Sequence, residues 1–116
     1  MSVERVLFGN MPDGREVYKY IISNSNNCSA HILTLGATFC GFTMEDKDGI
    51  ERDLLLGFDT VGDYLERSDY QGVIVGPVCN RIGSAEIEIN GEKYKLTANE
   101  KGITCLHSGG ELGFNL

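Results

Sequence analysis

The sequence lacks a long hydrophobic run. No stretch approaches the roughly 20 consecutive apolar residues that a membrane-spanning helix needs, although hydrophobic residues make up 41% of the 116 positions. The opening stretch, MSVERVLFGNMPDG, also lacks the basic start and apolar centre of a secretory signal peptide. We therefore expect a cytoplasmic protein with no membrane partner. A chain of this length has room for one modest core, so we expect residues 1–116 to be a single unit or a piece of one domain.

Basic residues are also scarce. The chain has 10 Lys and Arg against 17 Asp and Glu, which gives a formal net charge of -7 at pH 7. Nucleic acids and anionic membranes are polyanions, and a surface of this charge repels them. The composition therefore argues against a nucleic-acid partner and favours a neutral or cationic ligand.

Residues that bind zinc are few and dispersed. The sequence contains two histidines and four cysteines, none of them closely paired: His31, His107, Cys28, Cys40, Cys79 and Cys105. Structural zinc sites usually take their ligands in closely spaced pairs. We therefore expect no metal site. Because no export signal is present, we expect buried, reduced thiols rather than disulfides.

Short runs of β-branched, aromatic and aliphatic residues alternate with turn-forming residues, which is typical of an all-β protein. Five runs read as strands: REVYKYIIS, SAHILTL, TFCGFTM, DLLLGF and GVIVG. One stretch, DTVGDYLERS, favours a helix, with Asp59 or Thr60 as its N-cap and Val61, Tyr64 and Leu65 on one side.

The stretch AEIEINGEKYKL predicts a β-hairpin in detail. Asn90-Gly91 is the dipeptide that a two-residue type I′ turn prefers. The turn sets the register, which we predict as Ile89 with Glu92, Glu88 with Lys93, Ile87 with Tyr94, Glu86 with Lys95, and Ala85 with Leu96. In this register Ala85, Ile87, Tyr94 and Leu96 share a buried face. Glu88–Lys93 and Glu86–Lys95 then form opposite-charge pairs on the solvent face.

The hairpin separates two polar clusters, CNRIG before it and LHSGG after it, and returning strands can bring both to one end of a sheet. Arg81 carries a planar fork of five donors, and the amide of Asn80 both donates and accepts. His107 donates or accepts near neutral pH, and the glycines after it allow close backbone approach. Such groups suit a polyhydroxyl ligand. Taken singly, these residues more often have structural roles: a surface ion pair for Arg81, a turn for Asn80 and a structural hydrogen bond for His107.

The same region carries a resemblance to a known family. The stretch GVIVGPVCNRIGSAEIEINGEKYKLTANEKGITCLHSGGELGF contains an Asn-Arg-Ile element, a hairpin, a Y-x-L-x-x-N step and a Leu-His element rich in glycine. In this order and spacing it resembles the N-terminal part of the aldose 1-epimerases, also called galactose mutarotases. The earlier stretch LTLGATFCGFTMEDKDGIERDLLLGFDTVGDYL is similar to the opening of that family.

The resemblance implies a fold and a chemistry. The fold is an antiparallel β-supersandwich, of which residues 1–116 would be an incomplete N-terminal part. The family interconverts the α and β anomers of free aldoses such as galactose and glucose without a cofactor. A base takes the proton of the anomeric hydroxyl while an acid protonates the ring oxygen. The resemblance implies that Asn80, Arg81 and His107 bind the sugar, with His107 near its reacting end.

The sequence also departs from the family. The catalytic acid, a histidine, and the catalytic base, a glutamate, follow the Leu-His element at a distance beyond residue 116, so we expect no catalytic residue within this chain. Ser108 stands where most members have glycine, and Pro77-Val78 replaces a common Arg-Tyr. Two functions remain open: an inactive N-terminal fragment of an aldose 1-epimerase, or a non-catalytic carbohydrate-binding or assembly module. Free and phosphorylated sugars are both open, and we expect self-association through unpaired strand edges.

Overall fold

The computed structural model describes residues 1–67 and 70–109. Within them lie nine strands and one α-helix: β1 Ser2–Asn10, β2 Glu16–Ser23, β3 Ser29–Leu33, β4 Phe39–Glu45, β5 Glu51–Asp53, α1 Val61–Glu66, β6 Arg81–Ile82, β7 Glu86–Ile89, β8 Glu92–Lys95 and β9 Cys105–Leu106. A short 3-10 helix, Gly83–Ala85, joins β6 to β7. The chain forms two compact units, Met1–Val73 and Ile74–Leu116. The all-β class expected from the sequence is confirmed.

The first unit is a five-stranded antiparallel sheet in the order β1-β2-β3-β4-β5. Each strand pairs with the next along the chain because tight turns connect them. Gly14 adopts φ 89° between β1 and β2, and Gly49 adopts φ 75° between β4 and β5, a region that glycine enters at no steric cost. In the second of these turns, Asp46 accepts the backbone N–H groups of Asp48 and Ile50.

The core of the first unit lies between the sheet and α1. Its buried side chains are Val17, Leu33, Leu35 and Val61, with Tyr64 and Leu65 among the half-buried residues packed against them. The predicted helix and its apolar side are confirmed. Thr60 is the N-cap, and its hydroxyl accepts the N–H of Asp63.

Two predicted strands differ in the structure. The run at residues 53–58 is a strand only to Asp53, whose carboxylate accepts the backbone N–H groups of Phe42 and Leu55 and so replaces ladder hydrogen bonds with side-chain ones. Residues 72–76 lie outside the strands. Gly72 has φ 66°, which extended backbone excludes, although its carbonyl accepts the N–H of Phe39. Conversely, the sequence pattern did not indicate β1, whose apolar residues do not alternate strictly.

The second unit contains the predicted hairpin in the predicted register. β7 and β8 pair Glu86 with Lys95, Ile87 with Tyr94, Glu88 with Lys93 and Ile89 with Glu92. Asn90 and Gly91 have φ values of 54° and 82°, as a type I′ turn requires. The N–H of Leu96 donates to the carbonyl of Ala85, which extends the ladder by one pair.

Two details of the hairpin prediction are wrong. Tyr94 is 42% exposed rather than buried, and its hydroxyl donates to Glu92 on the same strand. The Nζ of Lys93 lies 3.0 Å from Oε1 of Glu86, so the ion pair of the hairpin is Lys93–Glu86 instead of the predicted pairs Glu88–Lys93 and Glu86–Lys95. The long lysine side chain reaches the diagonal carboxylate, which is half-buried and therefore less hydrated.

The four cysteines are free thiols, as expected. Cys105 is buried and Cys28 and Cys40 are half-buried, but Cys79 is exposed because it lies in the loop before β6. Within the described residues, no helix has the length and apolar character needed to cross a membrane.

Candidate functional site

The candidate site lies in the second unit, where the two polar clusters of the sequence meet. β6 and β9 pair antiparallel, with Arg81 opposite Leu106 and Ile82 opposite Cys105. The hairpin between these strands reverses the chain direction, so the residue before β6 faces the residue after β9. Asn80, Arg81 and His107 therefore lie close together in the structure, as the sequence predicted.

Asn80 and His107 are joined by two hydrogen bonds. The N–H of His107 donates to the carbonyl of Asn80 at 3.0 Å, and the N–H of Asn80 donates to Nδ1 of the His107 ring at 3.1 Å. Both residues have left-handed backbones, with φ values of 68° and 52°. Asn and His enter this region more readily than most residues, and such conformations cluster at functional sites.

The hydrogen bond to Nδ1 decides which ring nitrogen of His107 donates. An imidazole nitrogen that accepts a hydrogen bond carries no proton, so the neutral ring holds its proton on Nε2. His107 in this state is a donor at Nε2. Its Nδ1 lone pair is engaged by Asn80, which suits a ligand-binding role better than that of a general base.

Arg81 is held by a carboxylate that the sequence analysis did not single out. Its Nε donates to Oε2 of Glu100 at 2.6 Å and its Nη2 donates to Oε1 at 2.5 Å, while Nη1 donates to Oδ1 of Asn80 at 3.3 Å. The two hydrogen bonds from Arg81, together with one from the Thr104 hydroxyl, lower the pKa of Glu100 to about 2. Arg81 and Glu100 are 19 positions apart, and no local pattern signals such a pair.

Asn99 supports β9, the strand that precedes His107. Its side-chain amide donates to the carbonyl of Leu106 at 2.9 Å and its side-chain oxygen accepts the N–H of Leu106 at 2.7 Å. The asparagine thus satisfies both backbone groups of the residue before His107. Its place in the Y-x-L-x-x-N step was the signal that could have identified it.

Ser108 makes a similar connection to the loop that precedes Asn80. Its hydroxyl accepts the N–H of Val78 at 2.8 Å and donates to the carbonyl of Val78 at 3.1 Å. The loop before Asn80 is therefore tied to the residue after His107. Glu111, which follows in the sequence, lies outside the described residues.

Comparison with known proteins identifies the family. The family model described as "Aldose 1-epimerase" matches residues 18–113, most of the chain. This chain belongs to the aldose 1-epimerase family. The match includes Asn80, Arg81 and His107.

The relatives that match this chain are considerably longer than it is. It is 35% identical over 115 residues to galactose mutarotase from Bos taurus, covering 99% of this chain and 33% of that protein. It is also 35% identical over 100 residues to aldose 1-epimerase from Haemophilus influenzae, covering 86% of this chain and 28% of that protein. The chain thus spans about a third of the length of the curated relatives it matches.

Solved structures of the family agree in fold. A GalM/aldose epimerase homologue from C. elegans superposes with a TM-score of 0.70 at 35% identity, covering 80% of this chain and 28% of that one. Galactose 1-epimerase from Lactobacillus acidophilus superposes with a TM-score of 0.74 at 19% identity, covering 97% and 31%. The galactose mutarotase-like fold implied by the sequence resemblance is confirmed.

Proposed function

We propose that this chain is the sugar-holding portion of an aldose 1-epimerase, an isomerase acting on free aldoses such as galactose and glucose. Asn80, Arg81 and His107 donate to hydroxyl groups of the sugar, and His107 lies nearest its reacting end. The observation that supports this most directly is the pairing of β6 with β9, which brings the three side chains to one end of a two-stranded ladder.

The reaction itself needs two proton transfers at opposite sides of the sugar ring. A base removes the proton of the anomeric hydroxyl while an acid protonates the ring oxygen, and the ring opens to an aldehyde. Rotation about the bond between the first two carbons and reversal of the proton transfers give the other anomer. No electrons are gained or lost, so the proposal needs no redox cofactor.

His107 alone does not supply both proton transfers. In its neutral form it donates from Nε2, while Nδ1 accepts the N–H of Asn80. A correctly placed acid or base is worth on the order of 10²- to 10⁴-fold in rate. We therefore propose that residues 1–116 bind sugar but do not accelerate mutarotation, with the acid and base supplied by residues outside this sequence.

The binding half of the proposal is tested by titrating the isotopically labelled 116-residue chain with D-galactose. We expect saturable shifts of the amide and side-chain NMR signals of Asn80, Arg81 and His107, and no such shifts with galactitol, the open-chain alcohol. Arg81→Ala should weaken binding more than Arg81→Lys, because lysine keeps the charge but loses the planar fork. Absence of saturable shifts with galactose and with glucose would overturn the proposed site.

Polarimetry on fresh α-galactose tests the catalytic half in the same samples. Binding without acceleration is the expected result. A saturable acceleration that His107→Ala abolishes would show that the acid and base lie within this chain. Saturable binding of an oligosaccharide or a protein in place of a monosaccharide would favour the alternative function, a non-catalytic binding or assembly module.

A further inference from the structure

Glu100 is held at both carboxylate oxygens. Oε1 accepts Nη2 of Arg81, and Oε2 accepts both Nε of Arg81 and the Thr104 hydroxyl, the latter at 2.6 Å. Its backbone N–H also donates to the carbonyl of Thr104 at 3.1 Å. The side chain of Glu100 is 22% exposed, whereas that of Arg81 is 56% exposed. The arginine is therefore the more accessible partner of the pair.

We propose that Glu100 is a positioning and specificity-determining residue that orients Arg81 toward an uncharged aldose and disfavours anionic sugars at the same site. The inference rests on the proposed function, in which Arg81 contacts the sugar. Glu100 itself touches no sugar in this arrangement and acts through Arg81.

The positioning effect follows from the two parallel hydrogen bonds. A guanidinium bound to both oxygens of a carboxylate has its plane fixed, and the third bond, from Nη1 to Asn80, restrains its remaining edge. A mobile arginine would lose side-chain conformational freedom on binding a ligand, and that loss would weaken binding. In the native chain that ordering is present before the sugar arrives.

The specificity effect follows from charge. The pKa of Glu100 is held at about 2 by the Arg81 and Thr104 hydrogen bonds, so the carboxylate is ionised at neutral pH. Lys101 is close enough to lower that pKa further. A sugar carboxylate or phosphate that approaches Arg81 meets a cation already paired with an internal anion. A neutral hydroxyl needs only a donor, which a paired guanidinium still is.

The substitution Glu100→Gln separates these effects because it keeps the shape of the side chain and removes its charge. We expect the affinity of the 116-residue chain for D-galactose to fall roughly three- to tenfold, since Arg81 loses its orientation. We expect the affinity for D-galacturonate to rise about threefold or more, since Arg81 and Lys101 are no longer balanced. NMR titration measures both dissociation constants.

Two further variants control the experiment. Glu86→Gln removes an ion-paired carboxylate in the hairpin and changes the net charge by the same amount as Glu100→Gln. It should change the affinity neither for D-galactose nor for D-galacturonate. Thr104→Val keeps the charge of Glu100 but removes a hydrogen bond to it, so galactose binding should weaken without any gain for galacturonate. Changes of the same sign for both sugars in Glu100→Gln, or no change, would overturn the proposal.

A separate readout distinguishes failure of this inference from failure of the proposed function. If the native chain binds neither sugar, the proposed function fails. The Nε–H signal of Arg81 still reports positioning in that event. Slow solvent exchange of this proton in the native chain, lost in Glu100→Gln and kept in Glu86→Gln, supports the positioning role. Equal exchange in all three proteins contradicts it.

Discussion

At the scale of single residues, Ser108 combines an unfavourable backbone with favourable side-chain bonds. Its φ of 66° lies in the left-handed region, which costs a residue with a Cβ about 1 kcal/mol or more. Its hydroxyl forms two hydrogen bonds with the backbone of Val78, each worth about 1 kcal/mol in a typical case. Glycine at this position would have neither the cost nor the bonds.

Two substitutions at this position should therefore differ in stability. Ser108→Ala keeps the backbone cost and loses both bonds, so we expect the free energy of unfolding to fall by about 1–2 kcal/mol. Ser108→Gly loses the same bonds but removes the cost, so its loss should be smaller by about 1 kcal/mol. Urea denaturation measures both, with Ser25→Ala at an exposed turn as the control. An equal loss in the two variants would refute the role assigned to φ.

At the scale of elements, the hairpin of β7 and β8 depends on its two turn residues. Gly91 has φ 82°, and a Cβ added there would meet no atom within 4 Å. Any effect of a side chain at this position therefore comes from the backbone conformation rather than from a clash. Asn90, with φ 54°, is a position that glycine can also occupy.

We expect Gly91→Ala to lower the free energy of unfolding by about 1 kcal/mol or more, because alanine is strained at this φ. Asn90→Gly should change it by less than about 0.5 kcal/mol, because glycine adopts positive φ readily. Thermal denaturation of both variants is the test. The opposite order, with Asn90→Gly the more harmful change, would mean that the turn is not of type I′.

At the scale of the whole molecule, one edge of the five-stranded sheet is long and partly apolar. β1 spans nine residues and pairs with β2 alone among the described strands. Val3 and Leu7 on it are 61% and 56% exposed. β5, at the other edge, has three residues, all of them charged. Long exposed edges are templates for pairing with another chain, and charged side chains oppose such pairing.

We therefore expect the 116-residue chain to self-associate through β1, with sedimentation velocity showing larger species as concentration rises. Val3→Lys together with Leu7→Lys should shift the protein toward monomer, because lysine on an edge strand opposes pairing. The matched control is Ile89→Lys, at a 52% exposed position on β7, and it should not shift the protein toward monomer. A stable monomer at every concentration would contradict the expectation.

The sequence alone determined the features that depend on short-range patterns. Asn90-Gly91 and the alternation around it predicted the hairpin and its register, since a two-residue turn allows one pairing. Thr60 and the spacing of Val61, Tyr64 and Leu65 predicted α1. Ordered motifs around Asn80 and His107 predicted the family. The hairpin between the two polar clusters predicted that they would meet, because a hairpin reverses the chain direction.

Only the tertiary structure decided which groups form hydrogen bonds with the residues of the candidate site and its surroundings. The pairing of Arg81 with Glu100, the bonds of Asn99 to Leu106 and the bonds of Ser108 to Val78 join positions that are 7 to 30 residues apart. The strand prediction for residues 53–58 failed for the same reason: whether Asp53 bonds to the backbone depends on where the neighbouring strand lies. Secondary-structure propensity depends on a residue and its near neighbours in sequence. Hydrogen-bond partners depend instead on which groups the fold places within about 3 Å of each other.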